Sequence, residues 1–207
     1  MDLRAVLTGD LVDASRASNP SAYIQHLKSV LHQVSQSIPS SFDNFRGDGF
    51  QLVPNAPADA FRCAVLIRAG LIAASPTKDR WDARIAISVE KSDEDVLGEA
   101  FVSSGRTLDR MSSKSPNLVF KSSIRPLSES YELSTELISD FIDSWTKTEA
   151  EIYFTYALLG AGDHSGVAKQ LSKSRSTISK GLSRAKSKLI DKFIDNTSRS
   201  IRKLSNG

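Results

Sequence analysis

Two carboxylates in the first 50 residues stand at the ends of apolar segments, where together they could bind a metal ion. Asp10 follows the apolar segment LRAVLTG, and Asp48 stands in FRGDGFQLV, where Gly-Asp-Gly separates two apolar segments. Gly and Asp tolerate the positive φ of tight turns, so this stretch predicts a β-hairpin. If the first strand lies beside that hairpin, the carboxylates of Asp10 and Asp48 converge. A carboxylate pair can hold Mg²⁺ against the phosphates of a nucleotide, and we expect that chemistry here.

The same aspartates also have structural interpretations, which stay open. Asp48 alone fits a plain turn residue, because Asp-Gly is the strongest short hairpin signal. Asp10 alone fits a cap at the end of a strand. Asp13 is either a third ligand or, as we expect, a cap for its loop together with Ser15. The three histidines show no ligand spacing with one another or with the single cysteine, so we expect no zinc site.

Apolar periodicity predicts the elements that must position these residues. Strands are expected over 3–9, on both sides of the hairpin, over 81–90 and over 117–122. Helices are expected over 20–37, 57–74, 98–111 and 131–143. The order βαββαβ, with one more helix and strand, predicts an α+β fold with a mostly antiparallel sheet and helices on one face. The ferredoxin-like, or palm, arrangement is its simplest form.

The end of the chain predicts an all-α unit with a basic surface. Residues 146–160 fit a helix, and the following residues fit a short helix, a turn at about Ser172 and Lys173, and a longer helix from about Ser174, whose buried stripe includes Leu189. Residues 165–207 hold eleven of the 27 basic residues and two of the 24 acidic ones, which leaves 16 and 22 in the rest. Such asymmetry usually marks a segment that faces nucleic acid or a membrane, and its plainer interpretation is a solvated basic tail.

This unit resembles the helix-turn-helix of sigma-factor region four and of response-regulator DNA-binding domains. The resemblance rests on Ala168, Leu171 and Ile178 at core positions and on the polar run SRSTISK at the start of the second helix, whereas Ser172 stands where glycine is commonest. It implies that the second helix enters the major groove of double-stranded DNA. The residues expected to contact DNA lie in the turn or on the exposed face of that helix, namely Lys173, Arg175, Ser176, Thr177, Ser179, Lys180 and Arg184.

Other lysines of this unit are expected mainly to neutralise phosphates, which sets affinity and not sequence preference. They include Lys169, Lys186, Lys188 and Lys192. The alternative is a structural helical hairpin whose basic face is only solvated.

The first 120 residues resemble class III nucleotide cyclases and, more loosely, diguanylate cyclases and other palm-type nucleotidyl transferases. Four segments carry the resemblance in order, DLVDAS, GDGFQLV, RIAIS and GEAFVSSGR. It implies that Asp10 and Asp48 bind Mg²⁺ together with the Leu11 carbonyl. It also implies that Arg106 meets phosphate charge as a catalytic residue, and that Asn44 stands at the nucleotide-binding position of a base-reading lysine.

The chain departs from that family at groups that act on the base and on the transition state. Val102 replaces an asparagine four positions before Arg106, Asn44 replaces the lysine, and Ala86 replaces a glycine of the strand motif. Charge stabilisation of the transferring group carries most of such catalysis. We therefore expect metal binding without efficient cyclisation.

The whole chain resembles SatD-like proteins. The resemblance rests on the start GDLVDAS, the hairpin GDGFQ and the C-terminal helix-turn-helix pattern, and it bears on architecture more than on activity. We expect a palm domain over 1–125, a linking helix over 126–145 and a helix-turn-helix domain over 146–207.

Composition and the lack of targeting signals limit the class of protein that this chain can be. The chain is 40% hydrophobic and 25% charged, as in ordinary globular proteins. Its start lacks the pattern of a signal peptide, and no run approaches the ~18 apolar residues of a membrane span, so we expect a cytoplasmic protein without membrane contact. Cys63 lies in an apolar run and is expected to be a buried structural thiol. Trp81 and Trp145 are expected in the core or an interface.

Together these patterns favour a DNA-binding transcriptional regulator whose palm-like domain senses a nucleotide or phosphorylated ligand with Mg²⁺. Helix-turn-helix readers usually pair on two half-sites, and cyclase-like palm domains also pair, so we expect a homodimer with residues 123–145 as the coupling segment. Two alternatives stay open. One is a divergent nucleotide cyclase or nucleotidyl transferase that makes a second messenger, and the other is a palm domain that serves only as a structural dimerisation module.

Overall fold

The computed structural model of the protein describes residues 2–45, 47–92, 98–160 and 162–206. Within these ranges it has an α+β fold with a five-stranded mixed sheet and eight α-helices. The strands are β1 (Leu3–Leu11), β2 (Ser40–Phe45), β3 (Gly49–Pro54), β4 (Ala83–Lys91) and β5 (Leu118–Lys121). The helices are α1 (Pro20–Ser37), α2 (Ala60–Ala73), α3 (Glu99–Arg110), α4 (Arg125–Asp143), α5 (Lys147–Leu159), α6 (His164–Gln170), α7 (Arg175–Arg184) and α8 (Ser187–Ser205).

The sheet has the strand order β2-β3-β1-β4-β5. Neighbouring strands are antiparallel except β4 and β5, which are parallel. The α+β class and the order of elements predicted as far as α7 are confirmed. Because β1 is the central strand, Asp10 stands opposite Gly49 of β3 on one side and Arg84 of β4 on the other.

Helices cover both faces of the sheet, whereas the sequence predicted helices on one face. Leu7 points to the face that α1 and α2 cover, and its side chain belongs to the main hydrophobic core. Thr8 points to the opposite face because side chains alternate along a strand. There its hydroxyl lies 2.7 Å from the hydroxyl of Ser104 on α3. Ala100 and Ser104 are buried on α3, and these small side chains let the helix approach the sheet closely.

The C-terminal helices pack directly on the first part of the chain. Helix α5 lies against α2, where Gly70 leaves room for Phe154. Helix α8 reaches back to the start of α2, since the rings of Phe61 and Phe193 are 5.3 Å apart and the Ser198 hydroxyl donates to the Ala58 carbonyl at 2.5 Å. One continuous hydrophobic core therefore includes residues of both parts.

Two predicted helices differ in extent. Helix α4 begins at Arg125, six residues before the start at 131 that apolar periodicity predicts and one before the linking helix predicted over 126–145, because Pro126 suits its first turn. The long helix predicted from Ser174 is two helices, since Lys186 has a φ of 57° and separates α7 from α8. The predicted burial of Leu189 is wrong, because this change of direction leaves its side chain 52% exposed.

The predicted burial of three side chains is confirmed. Cys63, Trp81 and Trp145 are all buried, and burial raises the pKa of the Cys63 thiol to about 12. Within the described ranges, no helix combines the length and the apolar composition that crossing a membrane requires.

Candidate functional site

The end of β1 and the tip of the β2–β3 hairpin meet, as the two-carboxylate prediction requires. The Leu11 N–H donates to the Asp48 carbonyl at 3.1 Å. Asp10 and Leu11 are still part of β1, which runs two residues further than predicted. The turn itself has Gly47 at a φ of 83°, a backbone conformation that favours glycine. The sheet therefore brings the predicted ligands Asp10, Leu11 and Asp48 next to one another along the backbone.

Arg84 contacts Asp10, and the sequence did not predict it to be a functional residue. Its Nε donates to Oδ1 of Asp10 at 2.9 Å and its Nη2 donates to Oδ2 at 2.5 Å. The hydrogen bond with Asp10 raises the pKa of the Arg84 guanidinium, burial opposes the rise, and the charges of Asp10, Asp13 and Asp48 add to it. The signal was present, because Arg84 is the first residue of the segment RIAIS.

The contact with Arg84 limits how Mg²⁺ can bind here. The guanidinium already neutralises Asp10 and uses one lone pair of each carboxylate oxygen, so a metal ion at Asp10 and Asp48 would compete with Arg84 for this carboxylate. In the part of the chain that the structure describes, no group of three or more His, Cys, Asp or Glu side chains is placed to hold a metal. Mg²⁺ is commonly held by one or two carboxylates plus substrate phosphates and water. Asp10 and Asp48 fit that mode of binding and not an all-protein cage.

Asn44 has a structural role in the hairpin. Its side-chain amide donates to the carbonyls of Gly47 at 3.2 Å and Gly49 at 2.9 Å. Both contacts hold the turn that carries Asp48. The amide donors are therefore engaged within the hairpin and do not face outward as the side chain of a base-reading lysine would.

Arg106 lines a different cleft from the one at Asp10. This cleft, of about 380 Å³, lies between α3 and the ends of β4 and β5, and Arg110 and the exposed Val102 also line it. Its wall includes the buried Glu90, whose carboxylate accepts a hydrogen bond from the Ser88 hydroxyl at 3.0 Å. Neither Asp10 nor Asp48 lines this cleft, so a single chain does not bring Arg106 together with them.

The predicted capping role of Asp13 is wrong. Asp13 has a φ of 50° and precedes a short 3₁₀ helix, Ala14–Arg16, yet its side chain makes no capping hydrogen bond. Its carboxylate lies 3.8 Å from Nη1 of Arg16, and both side chains are largely exposed.

A buried polar cluster behind β1 was also missed. The Val12 N–H donates to the Asp82 carbonyl at 3.0 Å, and the Asp82 carboxylate accepts from Nε of Arg68 at 2.8 Å and from Nη2 at 2.6 Å. Arg68 is fully buried in α2, where it also donates to Asp143 and Ser139 of α4. A single arginine within the apolar run CAVLIRAGLIAA is the sequence signal, because a buried charge requires partners.

The same contacts continue to the end of α7. Arg80 donates to the Trp145 carbonyl at 2.7 Å and to the Ile142 carbonyl at 3.0 Å, and it lies 3.6 Å from the Asp82 carboxylate. Nε1 of Trp145 then donates to the Ala185 carbonyl at 2.9 Å. A chain of polar contacts therefore connects the strand end beside Asp10 with the residue that follows α7.

The predicted DNA-contacting residues occupy two kinds of position around α7. Ser174 caps this helix by accepting from the Thr177 N–H at 3.1 Å, and Ile178, Gly181 and Leu182 form its buried side. The connection before it contains Ser172 at a φ of 51°. On the exposed side lie five of the seven predicted residues, Arg175, Ser176, Thr177, Ser179 and Lys180.

The other two predicted residues are held by α5. Nζ of Lys173 lies 3.0 Å from Oε2 of Glu151, and Nε of Arg184 lies 2.8 Å from Oε1 of Glu149. A DNA phosphate must compete with these carboxylates, so neither cation is as available as Arg175 or Lys180.

No protein-family model matches the chain, and no curated protein matches its sequence.

Proposed function

We propose that the protein is a transcriptional regulator that binds double-stranded DNA through α7 and senses a nucleotide or related phosphorylated ligand with Mg²⁺ at Asp10 and Asp48. The exposed face of α7 is the observation that carries the proposal. Five polar residues cover it, and its two cations, Arg175 and Lys180, have no ion pair within the described ranges. Guanidinium and hydroxyl groups on a helix face suit base edges in the major groove.

The packing of α7 supports its role as the recognition helix of a helix-turn-helix formed with α6. A Cβ on Gly181 would lie 2.5 Å from Cδ1 of Ile152, so α7 is in close contact with α5. Val167 and Ala168 of α6 are buried as well. One side of α7 is thus fixed to the protein while its first two turns stay accessible, which is what docking in a groove requires.

The sheet supports a ferredoxin-like, palm-type arrangement for the ligand-binding part. In the order β2-β3-β1-β4, two βαβ units interleave around the central strand, with β5 added at the edge. In this topology the strand that carries Asp10 and Leu11 lies beside the hairpin whose turn carries Asp48, which supports the predicted metal site. When the ligand binds with Mg²⁺, the metal would replace Arg84 as the partner of the Asp10 carboxylate. The phosphates of the ligand would then contact the released Arg84 guanidinium.

DNA binding is tested first, because it does not depend on the identity of the ligand. We expect Arg175→Ala with Lys180→Ala to weaken binding to a mixed-sequence duplex at least about tenfold and to lower the salt dependence by about one or two phosphate contacts. Lys28→Ala with Lys114→Ala is the matched control, since it removes the same charge from exposed positions outside α7. Equal affinity and equal salt slope for the two double variants would overturn the assignment of α7.

Ligand sensing is tested by incubating the protein with nucleoside triphosphates and Mg²⁺. Binding without turnover, lost in Asp48→Ala, supports the sensor. Turnover lost in Asp48→Ala supports instead a divergent cyclase or nucleotidyl transferase, which the proximity of Asp48 to the end of β1 also suits. If the protein shows neither binding nor turnover, both the sensor and the enzyme are excluded. A sensed ligand must also change the affinity for DNA. The ligand can act on α7 only if two conformations of the protein bind the ligand with different affinities.

The contacts from Asp82 to Ala185 supply a physical route for that bias. A ligand that moves Asp10 and Arg84 acts on β1 and β4, whose ends hold Val12 and Asp82. Asp82 is connected through Arg68 and Arg80 to the end of α4, and Trp145 connects that end to Ala185. Residues 123–145 therefore suit the coupling role that the sequence predicts.

A homodimer is part of the proposal. Leu133 and Leu137 lie one turn apart on α4 and are 70% and 55% exposed. Pairing of two copies through this face would cover both leucines. Paired helix-turn-helix proteins bind half-sites about 34 Å apart, so a dimer suits the proposed DNA binding. We expect Leu133→Ser with Leu137→Ser to give monomers in analytical ultracentrifugation, whereas Leu159→Ser, at another exposed leucine, leaves the dimer intact. A monomeric wild-type protein would overturn this part.

A further inference from the structure

The corner between α7 and α8 forms a groove beside the proposed DNA-facing surface. The groove has a volume of about 380 Å³. Ser179 and Ser183 of α7 line one side, and Lys186, Ser187 and Lys188 line the other. Ser179 also belongs to the exposed face of α7, so the groove continues that face toward α8.

The start of α8 has the features of an anion site. The first N–H groups of a helix have no intrahelical acceptor. Helix α8 is 19 residues long, has no capping side chain and has no acidic residue in its first turn. The Lys186 backbone, at a φ of 57°, turns the chain so that α8 begins directly beside the last turn of α7. Partial positive charge at such a helix end favours a negative ligand.

Ser187 supplies an independent observation. The residue is only 5% exposed, and its side chain lines the groove. No described residue forms a hydrogen bond with its hydroxyl. The hydroxyl oxygen is not among the fully buried unpaired atoms, so it still reaches the open groove. A residue this buried whose hydroxyl opens only onto the groove is placed to donate to a ligand that lies there.

The charges around the groove have one sign. Lys186 and Lys188 are exposed and form no ion pair with any described residue. This distinguishes them from Lys173 and Arg184, which α5 engages. The described residues that line the groove include no Asp or Glu.

We propose that this corner binds one backbone phosphate of the DNA. The phosphate oxygens would accept from the ammonium groups of Lys186 and Lys188, from the backbone N–H groups of Ser187 and Lys188, and from the Ser187 hydroxyl. The next two N–H groups of α8, those of Leu189 and Ile190, already donate to the Lys186 carbonyl. The site rests on the proposed function and deepens it. General neutralisation of phosphates does not orient a protein, whereas a fixed phosphate next to Ser183 determines how far α7 enters the groove and at what angle.

The experiment uses a mixed-sequence duplex, because phosphate contacts supply most non-specific affinity and no operator is needed. Lys186→Gln with Lys188→Gln should weaken binding at least about tenfold more than the matched control Arg202→Gln with Lys203→Gln, which removes the same charge from exposed positions on the same helix. Ser187→Ala, which leaves the charge unchanged, should weaken binding severalfold. Equal losses for the two double variants, with no effect of Ser187→Ala, would overturn the proposal. Circular dichroism and thermal unfolding check that every variant is folded.

A second measurement separates this site from the proposed function and distinguishes DNA from free phosphate. Inorganic phosphate is titrated into ¹⁵N-labelled protein while the Ser187 and Lys188 amide signals are followed. Shifts that saturate in the wild type and vanish in Lys186→Gln with Lys188→Gln support the site, even if no duplex binds and the DNA-binding function fails. If neither the duplex nor phosphate moves these two amides, the proposal is wrong. Duplex binding that moves them where free phosphate does not assigns the site to the DNA backbone.

Discussion

Asp10 and Arg84 face each other across β1 and β4, and the Arg84 guanidinium donates to both carboxylate oxygens of Asp10. Both side chains are partly exposed, at 26% and 30%, so a ligand can reach the pair. The arginine and a metal ion would compete for the same carboxylate. If Mg²⁺ binds as proposed, a ligand that offers Arg84 another anion would favour the metal at Asp10.

Removing Arg84 should open the metal site. In Arg84→Met we expect Mn²⁺, used as a probe for Mg²⁺, to bind at least about tenfold more tightly than in the wild type, because the competing cation is gone. Titration calorimetry or electron paramagnetic resonance measures the affinity. Arg110→Met, in a different cleft, should change nothing, and Asp48→Asn should abolish the gain. Unchanged Mn²⁺ affinity in Arg84→Met would rule out a metal at Asp10.

The two buried tryptophans should respond differently to loss of the indole N–H. Trp145→Phe leaves the Ala185 carbonyl without its donor, and we expect the free energy of unfolding to fall by about 1–3 kcal/mol. Nε1 of Trp81 is buried and has no hydrogen-bond partner among the described atoms. Trp81→Phe therefore loses packing against Tyr23 but removes an unsatisfied donor, and the loss should be smaller. Urea unfolding of both variants measures this, and equal losses would contradict the role of Trp145.

Two helical glycines should give opposite results when changed to alanine. On α2, a Cβ at Gly70 would lie 2.9 Å from both Val30 methyl groups, so we expect Gly70→Ala to destabilise by about 1–3 kcal/mol. On α3, nothing lies within 4 Å of a Cβ at Gly105, and Gly105→Ala should stabilise by about 0.5–1 kcal/mol through helix propensity. Thermal and urea unfolding report both changes. A stabilising Gly70→Ala would mean that α1, α2 and α5 are packed less closely.

Asp191 should make stability depend on pH. Burial raises the pKa of Asp191, the hydrogen bond from Tyr153 opposes the rise, and the charge of Asp195 adds to it. Above the unfolded value of 3.8 the unfolded chain releases this proton before the folded protein does. The contribution of Asp191 to stability therefore falls as the pH rises from there to the raised folded pKa.

Replacing Asp191 removes that dependence. Asp191→Asn keeps an acceptor for Tyr153, and we expect a higher free energy of unfolding at neutral pH and a flatter profile above pH 3.8. Asp43→Asn, at an exposed position on β2, is the control and should leave the slope unchanged. Urea unfolding at a series of pH values measures both, and parallel profiles for wild type and Asp191→Asn would contradict the effect.

Local sequence signals identified the elements well and their partners poorly. The alternation around Ile85 and Ile87 and the helical spacing around Leu27 and Val30 depend only on neighbouring residues, so β4 and α1 were predictable. The break at Lys186 was not, because no glycine or proline marks it.

The sequence by itself determined the α+β class, the order of the elements, the hairpin that carries Asp48 and the polar face of α7, since each follows from periodicity, turn chemistry or charge within a short segment. Only the tertiary structure decided that Asp10 pairs with Arg84, that Arg68 joins Asp82 to Asp143, and that Lys173 and Arg184 contact α5. These contacts join residues far apart in the chain. Their partners depend on strand register and helix packing, which short segments do not encode.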